Sequence, residues 1–212
     1  MKNVLCFGDS LTWGFDAQSG GRHSVADRWP SVLAANLGDK AHVVTEGLNG
    51  RTTAFDDHTA DCDRNGARLL PTLLESHQPL DLVIVMLGTN DLKTMTVETA
   101  ANSILGMKRI VSIIKHKEQR AGDQSPDILL VAPPKICATA NTDRAAMFPN
   151  GIEQSSMLAS MLSDLADEQG CGFFDANSVA KTTPIDGIHM DADNTKELGR
   201  GLASTVKLML GL

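Results

Sequence analysis

Asn3-Val4-Leu5-Cys6-Phe7 runs into Gly8-Asp9-Ser10-Leu11-Thr12-Trp13-Gly14, so a short apolar run gives way to a glycine-flanked turn that carries a serine. The run reads as a first buried strand, with Ser10 at its tip. A serine inside a strand needs a partner for its hydroxyl, whereas one at a strand's C-terminal end, with glycines at 8 and 14, opens onto a cleft. Gly, Asp and Ser are also ordinary turn residues, so the stretch alone fits a plain turn as well as a nucleophile. The rest of the chain separates the two readings.

Four more apolar segments read as buried strands: His42–Glu46, Asp81–Leu87, Asp127–Ala132 and Gly172–Asp175. Helical patterns lie between them. Arg28–Leu37 carries Pro30 near its start, where a missing N–H does no harm, and Ala67–Ser76 is interrupted by Pro71. From Val97 to Lys117, Ile104, Met107, Val111 and Ile114 recur at spacings of three and four, which marks one apolar helix face. Leu158, Met161, Leu162 and Leu165 repeat the pattern. A last helix is expected from Asn194 to about Leu210, with Glu197 as a capping-box partner. Strands apolar on both faces, alternating with helices, predict a parallel sheet covered on both sides: a doubly wound three-layer α/β/α sandwich. Phe15–Asp27, Ala54–Gly66 and Pro133–Asn150 exceed ordinary connections, and such loops serve as binding walls or oligomer contacts.

Length and charge narrow the function. The chain has 212 residues, 42% of them hydrophobic, which suits one domain over 1–212. Nineteen basic against 26 acidic residues give a net charge of −7 without a basic cluster, which argues against nucleic acid or an anionic membrane as partner. A small neutral substrate fits better. The N-terminus lacks the apolar core of a signal peptide, and no apolar run is long enough to span a bilayer. Cys6, Cys62, Cys137 and Cys171 are widely separated, which suits reduced thiols in a cytoplasmic protein.

In an open parallel sheet, ligands bind beyond the carboxyl ends of the strands. The first strand delivers Ser10 there. The second is followed by Gly47-Leu48-Asn49-Gly50-Arg51-Thr52-Thr53, where Gly50 can present its N–H unobstructed. The third ends in Gly88-Thr89-Asn90-Asp91, and after the fifth comes Asp186-Gly187-Ile188-His189. These are the parts of acyl transfer. Serine is a weak nucleophile until an imidazole takes its proton, and a carboxylate fixes that imidazole's tautomer. The developing oxyanion needs donors, and the N–H groups of Ser10 and Gly50 and the Asn90 amide are candidates.

On these four blocks the chain resembles the SGNH hydrolases, the GDSL family of esterases and lipases, which takes its name from the Ser, Gly, Asn and His found here as Ser10, Gly50, Asn90 and His189. The resemblance implies a flavodoxin-like strand order of 2-1-3-4-5. Cys6–Gly14, Glu46-Gly47-Leu48 with Arg51-Thr52-Thr53, Asp81–Asp91 and Phe173-Phe174-Asp175-Ala176 are most similar to the arylesterase and acyltransferase subgroup. That implies short acyl esters, often acetates of aryl, alkyl or sugar alcohols, as substrates, and acyl transfer to alcohols or peroxide in some members. It implies no cofactor, and a closed homo-oligomer, an octamer in several members.

Each residue has a structural alternative. Asn90 could stabilise a turn, Gly50 could supply only a positive φ, Asp186 could be a turn residue and His189 a strand cap. Four turn residues have no reason to meet at one crevice in family order. His23, His42, His58, His77 and His116 read as surface or unpartnered. Trp13, Phe15 and Ile188 are candidate walls of the substrate pocket. Two other functions fit parts of the pattern: a metal-dependent hydrolase using Asp186, His189, Asp191 and Asp193, and a flavodoxin-like binding module, although no phosphate-loop motif follows a strand.

Overall fold

The computed structural model describes residues 1–117 and 125–212. Strands β1 (Lys2–Gly8), β2 (Ala41–Gly47), β3 (Leu82–Met86), β4 (Asp127–Ala132) and β5 (Gly172–Asp175) form one parallel sheet in the order 2-1-3-4-5. The central strands sort their side chains by parity. Leu5, Phe7, Val83, Val85, Ile128 and Leu130 enter one core, and Val4, Cys6, Leu82, Ile84, Leu129 and Val131 the other. This two-sided burial is why those strands read as continuous apolar runs. Edge strands β2 and β5 are only partly buried.

Among the described residues seven α-helices accompany the sheet, besides four short 3-10 turns: α1 (Ser10–Trp13), α2 (Trp29–Leu37), α3 (Gly66–His77), α4 (Ala100–Lys115), α5 (Thr142–Met147), α6 (Gly151–Gln169) and α7 (Ala192–Leu210). Helices α3, α4 and α6 cover one face, and α2 and α7 the other. Pro71 lies inside α3 rather than interrupting it. Only the bond to the carbonyl of Ala67 is forgone, while Leu70 and Leu74 stay packed. The start of α7 also differs from expectation: Asp191 is its N-cap and accepts from Asn194 N at 2.8 Å, whereas Glu197 pairs with Arg200. Helix α5 falls in a stretch read as loop, since six residues are too few to show an apolar period.

β1 ends directly in α1, and β2 must pass close beneath it. A Cβ on Gly47 would lie 2.4 Å from Trp13 N and 2.6 Å from Trp13 Cα. Backbone cannot yield as a flexible side chain can. Gly47→Ala is therefore expected to destabilise the protein by about 1–3 kcal/mol, visible as a lowered thermal midpoint; an unchanged midpoint would show that α1 shifts freely.

Candidate active site

Asp9, fully buried, is the N-cap of α1 and accepts from Leu11 N at 2.9 Å. Ser10 follows as the first helical residue, 7% exposed, which aims its hydroxyl across the sheet's carboxyl edge. The loop before α7 meets it from the other side. Ile188 packs into the core under α3, α4 and α6, and Met190 into the core under α2 and α7, so His189 is fixed between the layers. With the Nδ1 proton donated to Asp186 Oδ2 at 2.5 Å, His189 Nε2 accepts from the Ser10 hydroxyl at 2.8 Å. Asp186 Oδ1 also accepts the N–H groups of Ile188 and His189, both at 3.0 Å. Burial alone would raise this carboxyl, but His189 and the two N–H groups outweigh it and hold it at about 2.

Gly50 and Asn90 reach the same edge of the sheet. Gly50 has φ +80°, a conformation that favours glycine. Among the described residues, the N–H groups of Ser10 and Gly50 donate to no protein acceptor. The Asn90 amide is not similarly free: Nδ2 donates to Asp9 Oδ2 and to the Arg51 carbonyl, each at 3.1 Å. Asp9 is thus one residue from the serine and in contact with the amide. Burial raises its carboxyl to about 7 against the Leu11 hydrogen bond and the charges of Lys93 and Arg51. Asp91 fastens the surrounding segments by accepting from Thr53 N at 2.9 Å, Thr53 Oγ1 at 2.8 Å and Ser103 Oγ at 2.7 Å.

Ser10, Gly50, Asn90 and His189 line one cavity of about 420 Å³. The lining mixes apolar Phe15, Met147, Phe148 and Ile188 with charged Asp57, Asp61, Arg64, Lys93 and Arg144, the last beside Met147 on α5. Ile188 therefore sits where a pocket wall was expected. Trp13 does not line the cavity: its ring lies under the Arg22 guanidinium at 4.5 Å, and its carbonyl accepts from Arg22 Nε at 2.7 Å. Phe15 lines the cavity, its ring tilted 39° to the His189 ring with centroids 4.4 Å apart. His23 corrects another expectation. It is 8% exposed, not on the surface, and its Nε2 lies 3.1 Å from the carbonyl of Met190, the residue after His189. Its polar sequence neighbours gave no sign of this burial.

For the metal reading the carboxylates point apart. Asp186 is engaged by His189, Asp191 caps α7 and Asp193 pairs with Lys196 at 3.0 Å. Among the described residues, no group of three or more His, Cys, Asp or Glu is placed to hold a metal ion. All four cysteines are free thiols. No described helix is long and apolar enough to cross a membrane.

A parallel sheet with a Ser–His–Asp chain of hydrogen bonds at its carboxyl edge is the arrangement of a serine-type acylhydrolase. The chain belongs to the GDSL-like lipase/acylhydrolase family, whose model matches residues 6–196, and it is a carboxylic ester hydrolase. It is similar over the full length of both chains to a carbohydrate acetylesterase family member from Sinorhizobium meliloti, at 58% identity and a TM-score of 0.98. It is also similar to the aryl esterase of M. smegmatis, at 40% identity and a TM-score of 0.93 over 99% of this chain and 100% of that one. Thioesterase 1/protease 1/lysophospholipase L1 of Escherichia coli strain K12 is 34% identical over 88 residues, a stretch spanning 42% of this chain and 34% of that protein.

Proposed function

We propose that the 1–212 stretch is one catalytic domain, a serine esterase that needs no cofactor and removes short acyl groups, acetyl foremost, from aryl, alkyl or carbohydrate alcohols. The observation that carries this reading is the unbroken Ser10–His189–Asp186 chain of hydrogen bonds beside two uncommitted N–H groups. Ser10 Oγ attacks the ester carbonyl while His189 Nε2 takes its proton. Asp186 holds the imidazole in the useful tautomer and stabilises the imidazolium, and Phe15 offers it a ring face. The oxyanion is received by the N–H groups of Ser10 and Gly50. Asn90 joins them by turning one N–H from Asp9 or Arg51 to the substrate. His189 then protonates the leaving alcohol, and water or a second alcohol releases the acyl group; peroxide as acceptor would make a peracid.

The mixed lining of the cavity suits both halves of such an ester. Met147, Phe148 and Ile188 suit a small acyl group, and the charged side chains of the lining offer donors and acceptors for a hydroxylated alcohol, in keeping with the named relatives. A panel of esters varying acyl length and alcohol, with acetylated sugars included, tests this. Acetyl esters are expected to give the highest kcat/KM, falling at least about tenfold by a six-carbon acyl chain, with activity kept after chelation. A preference for long acyl chains, or inertness toward acetylated sugars, would exclude the substrate assignment. The homo-oligomer implied by the family resemblance is open to light scattering on the same preparation.

A further inference from the structure

Lys93 follows Asn90 by three residues on the same turn and reaches into the catalytic cavity while only 9% exposed. Its Nζ lies 3.6 Å from the position that a Cβ on Gly50 would occupy. A buried ammonium beside that glycine needs an explanation. Its nearest carboxylate, Asp57 Oδ2, stands at 3.7 Å, beyond a good hydrogen bond. The other cation beside Gly50, Arg64, is held by the Asn49 carbonyl and, at 2.6 Å, by Asp61. Arg51 is stacked on the Phe7 ring at 4.3 Å and donates to the Gly8 carbonyl at 2.8 Å, outside the cavity lining.

The site contains a second unusual charge. Asp9, fully buried, touches the Asn90 amide and adjoins Ser10; raised to about 7, it is partly ionised near neutral pH, and in that form it opposes any negative charge that forms on the substrate. A cation on the cavity side would offset it. Burial disfavours the ammonium form of Lys93, whereas the Asp57 and Asp9 carboxylates favour it. We propose that the Lys93 ammonium stabilises the tetrahedral oxyanion through space, against the opposing charge of Asp9, and that Asp57 tempers this effect by partial neutralisation. The proposal rests on the serine-esterase reading, in which the oxyanion sits at the Gly50 N–H.

The sign of two substitutions separates this role from a structural ion pair. On a neutral aryl acetate, Lys93→Met is expected to lower kcat on the order of tenfold, the scale of one nearby charge at an effective dielectric of about 20, with KM within about twofold. Binding of a boronic acid that mimics the tetrahedral adduct should weaken by a similar factor. Lys93→Arg should keep most of the activity. Asp57→Asn should act oppositely and raise kcat where the amine keeps its proton without that carboxylate, and the gain should fade as pH rises, because burial then favours the neutral amine. The Asp57→Asn/Lys93→Met double variant carries no unpaired buried charge and should remain as slow as Lys93→Met. Equal losses in Asp57→Asn and Lys93→Met, recovery in the double variant, or an effect confined to KM would overturn the proposal. Ser10→Ala measured alongside keeps the two readings apart: full activity there sinks the serine mechanism, whereas an inactive Ser10→Ala with an unimpaired Lys93→Met sinks only the role of Lys93.

Discussion

Ser10→Ala is expected to lower turnover of a short-chain aryl ester by more than about 10³-fold while the fold persists. The alanine keeps the Ser10 backbone N–H and the geometry of Gly50, so the oxyanion site remains and some acceleration over water survives it. What disappears is the oxygen that forms the acyl-enzyme. A phosphonate ester should accordingly add its mass to the parent protein and leave the variant unmodified. The change removes the donor to His189 Nε2 in a buried setting, a stability effect of about 1 kcal/mol. A variant that is fully active, or that still takes up the phosphonate, would move the nucleophile elsewhere.

Asp186→Asn should be nearly as severe, with turnover falling by something on the order of 10⁴, the loss seen when a triad acid is converted to its amide. An asparagine can retain the two N–H bonds now accepted by Asp186 Oδ1, so the loop need not move. Its amide nitrogen would donate to His189 Nδ1, however, and drive the ring proton to Nε2. The imidazole then cannot take the serine proton. The same variant changes acid stability in a defined direction. Asp186 is held at about 2 in the fold against an ordinary 3.8. Its contribution is therefore present above pH 4 or so and is lost as pH falls toward 2. Asp91, raised to about 6, and Asp9, raised to about 7, act in the opposite sense at higher pH, so the difference between variant and parent is the readout. The variant's thermal midpoint should fall less steeply than the parent's below pH 4. Parallel acid limits in the two proteins would show that the Asp186 carboxylate gains nothing from folding.

The central strands were legible because runs buried on both faces are hard to mistake, and Ser10 and Asn90 because they follow where such runs stop; the strand order, and the place of Asp186 and His189 beside them, came from the resemblance to the SGNH hydrolases. The last helix was misread at its start because Asp191 and Asn194 are both good caps, and only three-dimensional contact decides between them. Trp13 and Phe15 were indistinguishable as wall residues. Backbone contact with Gly47 and the Arg22 guanidinium hold Trp13 aside, and neither shows in a local pattern. His23, Asp9 and the Lys93–Asp57 pair depend on burial among segments distant in sequence. Lys93 left one clue, its place three residues after Asn90 on the same turn.

The hydrogen bond between Ser10 and His189 spans 179 residues. Such a non-local contact rewards folding only after the entropy of ordering the chain has been lost. β1 can pair with β2 and β3 while the segment before α7 is still undocked, and at that stage the protein has a sheet but no base for its serine. On the serine-esterase reading, hydrolysis needs the segment before α7 in place, so activity reports that contact rather than the sheet alone.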